Sequence, residues 1–126
     1  MKEERTVKTT LTYANCELTA REKIKMKDIS DSRPISELQT GDIITVDVWA
    51  IVNVHNENLA EGDYQNLIIK TPQGEKYHTS SNSFFLSLDD IQSELDDAGE
   101  TGAFDIRIVK KQSKNNSGQF LTCALV

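Results

Sequence analysis

The chain is poor in the groups that carry most enzyme chemistry. It holds two histidines and two cysteines in 126 residues. His55 and His78 stand apart, with no second histidine or cysteine at ligand spacing, so no zinc site is expected. Glycine is sparse, and no Gly-rich phosphate loop, HExxH helix or nucleophile elbow occurs. The carboxylate pairs Asp89–Asp90 and Asp96–Asp97 read as solvated helix surface. A non-enzyme is therefore expected, without metal, cofactor or small-molecule substrate.

Long hydrophobic runs are also missing. None approaches the roughly 18 residues that span a bilayer, so no membrane partner is expected. The first residues, MKEERTVKTT, lack the apolar core of a secretion signal. A cytoplasmic location follows as an expectation. Cys16 and Cys123 lie in separate segments and read as reduced, small hydrophobes.

Positive charge is scarce overall, with a net charge of −6. Its distribution is uneven. Residues 1–27 carry seven Lys/Arg against four Asp/Glu, and residues 103–126 carry four against one. Residues 28–102 carry three against fifteen. A phosphate chain responds to a local positive groove rather than to the average, so nucleic acid is not excluded.

What is present is mainly strand pattern. RTVKTTLTY alternates and is rich in Thr and Val. In LTAREKIKMKD the apolar Leu18, Ala20, Ile24 and Met26 alternate with Arg21, Lys23, Lys25 and Lys27, which predicts a second strand with one basic face. The two would form an N-terminal hairpin, and a turn-rich connection with Pro34 leads on from it. IITVDVWAIVNVH then predicts one long bent strand. Ile44, Val46, Val48, Ala50, Val52 and Val54 form its core face, and Trp49 lies on the mixed face beside Asp47 and Thr45. YQNLIIKT and GEKYHTSS flank a hairpin turn at Pro72 and Gly74. A helix opens at Ser87, buries Leu88, Ile91 and Leu95, and stops at Gly99. AFDIRIVKK and QFLTCALV are the closing strands.

From Gly41 onward the order is strand, strand, strand, helix, strand, strand. That is the order of the five-stranded Greek-key barrel known as the OB-fold, which binds oligonucleotides and oligosaccharides. The expected fold is all-β with one short helix. It forms a single domain over residues 1–126, with residues 1–40 as hairpin and connection and residues 41–126 as barrel.

Four aromatics stand apart from the obvious core: Trp49, Tyr64, Tyr77 and Phe120. Phe84, Phe85 and Phe104 are assigned to the core. Rings on a basic sheet face suit single-stranded nucleic acid, because every base has a π-face; each stack contributes roughly 1–3 kcal/mol. Lys70, Lys76 and Arg107 are candidate phosphate contacts on the barrel strands. Lys23, Lys25 and Lys27 are candidates on the N-terminal strand, and Lys111 and Lys114 in the loop KKQSKNNSGQ, which also carries Lys110.

VKTTLTYANCELTAREKIKMKD, ISELQTGDIITVDVWAIV, GEKYHTSS, the helix and SKNNSGQFLTCALV together give a layout similar to one family. It resembles the small single-stranded DNA-binding proteins of tailed phages, particularly those with protein-primed replication. The resemblance implies an OB-fold that coats displaced strands in the host cytoplasm during replication. It also implies base-stacking roles for Tyr64 and Tyr77. Trp49 has no counterpart in that family, and no acidic C-terminal tip of the bacterial tetramer type is present. The expected function is sequence-nonspecific coating of single-stranded DNA. The rival expectation is an OB-like interaction module of a phage or plasmid, with the acidic middle as its working surface. Self-association through an exposed N-terminal edge strand stays open.

Overall fold

The computed structural model describes residues 7–56, 63–112 and 119–126. The first strand, β1 (Val7–Ala14), does not turn back on a neighbour in sequence. It pairs antiparallel with β4 (Val48–Asn56). The segment expected to complete a hairpin is instead a helix, α1 (Ala20–Lys27). A capping box decides it. The Thr19 hydroxyl accepts from the Glu22 amide at 3.2 Å, and the Glu22 carboxylate accepts from the Thr19 amide at 2.9 Å. Lys25 and Lys27 fall in the last turn, where the helix dipole favours cations. The alternation that suggested a strand does not follow burial. Ile24 is 64% exposed, and Met26 is the buried residue of the helix.

After β2 (Arg33–Pro34) and a single 3-10 turn (Ile35–Glu37), the long strand is two strands. They are β3 (Ile43–Val46) and β4, broken at Asp47. The break moves the chain from one sheet to another and reverses the facing. Ile44 and Val46 point into the main core, and beyond Asp47 it is Trp49 and Ile51 that do so. Trp49 is fully buried, which removes it from the candidate binding rings. Its indole N–H donates to the Gln92 side chain at 3.0 Å, satisfying the one polar atom it buries. Val48, Ala50, Val52 and Val54 face the opposite way. They form a second core with Met26 of α1 and Ile68, flanked by Leu11, Ala14 and Leu18.

β5 (Asp63–Lys70) and β6 (Lys76–Thr79) form the expected hairpin. Its turn is closed by Thr71 N–H to the Glu75 carbonyl, and Gly74 takes the positive φ that the turn requires. α2 (Asn82–Asp97) begins five residues before the expected start. Ser81, not Ser87, is the N-cap, accepting from the Phe84 amide. Phe84 and Leu88 are fully buried in the main core, each burial contributing about 2–3 kcal/mol. Phe85 and Phe104 pack against the same core. Gly99, at φ 74°, ends the helix. β7 (Phe104–Gln112) and β8 (Gln119–Leu125) close the chain.

The protein is mainly β, with two α-helices among the described residues where one was expected. Its strands form a five-stranded sheet, β1-β4-β5-β6-β2, and a three-stranded sheet, β3-β7-β8. They do not close into a barrel. β6 and β8 are not paired; β2 occupies the outer edge of β6, in parallel. The Ser81 and Ser83 hydroxyls reach across to the β8 backbone, both donating to the Leu121 carbonyl. No helix among the described residues is long and apolar enough to cross a membrane.

Candidate ligand groove

An open groove of about 600 Å³ lies where β6 and β8 fail to meet. Alternation along β5 places Tyr64, Asn66 and Ile68 on one face. His78 stands across from Ile68 on β6 and shares that face. Phe120 approaches from β8, and Ile29, Pro34 and Ser36 supply the third wall. Tyr64 is 45% exposed and Phe120 40%, so both rings offer open surface on one groove.

Register also sets the charge. Lys111 is directly across from Phe120, and Arg107 lies further along the same face, across from Ala124. Lys110 donates from Nζ to the Ser36 carbonyl at 2.8 Å, which fixes an ammonium at the groove's rim. His78 is half-buried. The Ser32 hydroxyl bridges it to the backbone, 2.6 Å from Nδ1 and 2.8 Å from the Ile29 carbonyl. Burial holds the His78 pKa below the ordinary value, against a weaker upward pull from Glu37. The neutral ring presents a flat surface at pH 7 without an added charge.

Several expected contacts lie elsewhere. Tyr77 pairs with Ile69, on the face opposite to Tyr64, and packs against the main core. Its ring is covered by Arg33, whose guanidinium carbon is 5.8 Å from the ring centre. Lys76 is buried and donates to the Lys25 and Asp28 carbonyls while pairing with Asp31. That ammonium caps α1 and is spent on the fold. Lys70 lies six residues along β5 from Tyr64, about 20 Å away. Lys23, Lys25 and Lys27 sit on α1, which contributes no side chain to the groove. Their common strand face does not exist, and Lys27 donates to the Thr9 carbonyl. Lys114 falls outside the described residues.

Sequence reasoning missed His78 and Asn66 as groove residues. The usable signal was parity: both share the period-2 face of Tyr64 once the hairpin register is known. The cysteines are free, Cys16 exposed and Cys123 buried. Burial pushes the Cys123 thiol up to about 12, so it is inert. Among the described residues, no group of His, Cys, Asp and Glu could hold a metal ion. Comparison with protein-family models, curated proteins and solved structures gives no match.

Proposed function

We propose that this chain binds single-stranded nucleic acid without sequence preference, in the groove between β6 and β8. The supporting observation is the pairing of two half-exposed rings, Tyr64 and Phe120, across one groove with Lys111 beside Phe120. Bases would stack on the rings, while Lys111 and Arg107, on the face of Phe120, and Lys110, held at the rim by Ser36, would meet phosphates. Stacking reads no base edge, so the binding would be indifferent to sequence.

β3 with β4, then β5, β6, α2, β7 and β8 follow the OB order, and the split first strand serves both sheets. On that reading the molecule is an OB-type barrel opened at its last seam, and the groove is the opening. Coating of strands displaced in phage or plasmid replication, as the sequence resemblance implies, is the use such a groove would serve.

The test is a titration with labelled oligo-dT, with duplex and RNA as competitors, at several salt concentrations. Each phosphate contact contributes about −0.7 to the slope of log affinity on log salt. Three contacts would give roughly −2. Lys111→Ala should make the slope shallower by about 0.7 and weaken all sequences alike. Absence of binding at low salt would sink the proposal. Salt-independent capture of a protein partner would favour the interaction-module reading.

A further inference from the structure

The two helices lie on opposite faces of the five-stranded sheet. Met26 of α1 packs in the second core, against Ala50, Val52 and Ile68. Phe84 and Leu88 of α2 pack in the main core, against the side chains that point the other way from β4 and β5. Each helix turns its remaining face to solvent, and the two solvent faces are opposites in charge.

On α1, Arg21, Ile24 and Lys25 are three or four positions apart and exposed, so they form one stripe. On α2, Leu86, Asp89, Asp90, Ser93 and Asp97 form another, also exposed. Each stripe carries a large exposed apolar side chain: Ile24, between Arg21 and Lys25, is 64% exposed, and Leu86, one turn before Asp89 and Asp90, is 56% exposed. The acids nearest the α1 stripe have partners of their own: Glu22 is bound back onto Thr19 by the capping box, Asp28 accepts from Ser30, and Asp31 pairs with Lys76. None of Arg21, Lys25, Asp89 or Asp90 is in an ion pair among the described residues. With the sheet between them, the stripes cannot meet within one molecule.

We infer that a second copy of this chain satisfies them: the basic α1 stripe of one copy docks on the acidic α2 stripe of the next. Ile24 meets Leu86, and Arg21 and Lys25 meet Asp89 and Asp90 beside it. The two surfaces differ, so the contact is head-to-tail. Each docked copy leaves a free α1 stripe at one end and a free α2 stripe at the other, and the assembly grows as an open chain unless the rotation closes it into a ring. The contact needs no nucleic acid, so it is tested apart from the proposed binding activity.

The experiment is sedimentation velocity of the full chain without nucleic acid, over protein concentration and salt. Wild type should grow with concentration beyond a dimer and return to monomer at high salt. R21E/K25E and D89K/D90K, each shown folded by circular dichroism, should both remain monomers. The first variant has two acidic stripes and the second two basic ones. Mixed in equal amounts, they should assemble again, because each presents what the other lacks. Three results would overturn the inference: monomeric wild type at low salt, assembly that survives either reversal, or a mixture that stays monomeric.

Discussion

The Lys76 ammonium lies 2.8 Å from the Asp31 carboxylate, yet the lysine side chain is 6% exposed and the aspartate 69%. The pair is thus one-sided. Its buried member is held mainly by the Lys25 and Asp28 carbonyls at the end of α1. A cation at that place satisfies orphan carbonyls and opposes the helix dipole.

Lys76→Ala should therefore cost roughly 2–3 kcal/mol in urea unfolding, as for lost hydrogen bonds to a charged group. Asp31→Asn should cost less than about 1 kcal/mol, because its carboxylate is solvated. Equal losses would mean that the ion pair, not the helix cap, carries the stability.

Tyr64→Ala and Phe120→Ala should each weaken oligo-dT binding by roughly 1–3 kcal/mol with little change in stability. Tyr77→Ala should do the reverse, since that ring packs on the main core beneath Arg33. A stability loss of about 2–3 kcal/mol is expected there. Parallel denaturation and binding curves separate the two patterns, and a stable but binding-deficient Tyr77→Ala would reverse the facing assigned here.

Trp49 emission should be insensitive to added oligo-dT, because the indole is buried and bonded to Gln92. It should shift to the red only on unfolding. Gln92→Leu leaves the indole N–H unpaired and should cost roughly 1–3 kcal/mol. Quenching of Trp49 at saturating oligonucleotide, with the fold intact, would contradict its burial.

His78 supplies a pH dependence. Burial lowers its folded pKa from the ordinary 6.5, so on acidification the unfolded chain takes up the proton first. Stability contributed by this group should be whole above pH 6.5 and decline as pH falls below it, levelling once the folded pKa is passed. His78→Gln should flatten that part of the curve of urea midpoint against pH. An unchanged curve would exclude His78 as its source.

The β5–β6 hairpin, the Gly99 stop and the two closing strands were legible because each rests on local chemistry: a turn residue, a positive φ or a period. The helical state of residues 20–27 was legible too, in Thr19 and Glu22. Period-2 spacing of Ala20, Ile24 and Met26 competed with it and misled. Local pattern could not say where Trp49 points. Both faces of IITVDVWAIVNVH are apolar enough to be buried, and both are, against different cores. The break at Asp47 that exchanges them exists because β3 and β4 pair with different sheets. By itself, then, the sequence determined most of the element types, though not helix α1 or the division of β3 from β4, together with the sparse catalytic inventory and the supply of rings and lysines. Only the tertiary structure decided which of these share a surface. It buried Trp49, turned Tyr77 inward and committed Lys76 to a helix end, and it brought Tyr64 to Phe120. The reason is physical: side-chain facing follows strand register and sheet pairing, which join residues far apart in the chain and leave no mark on local spacing.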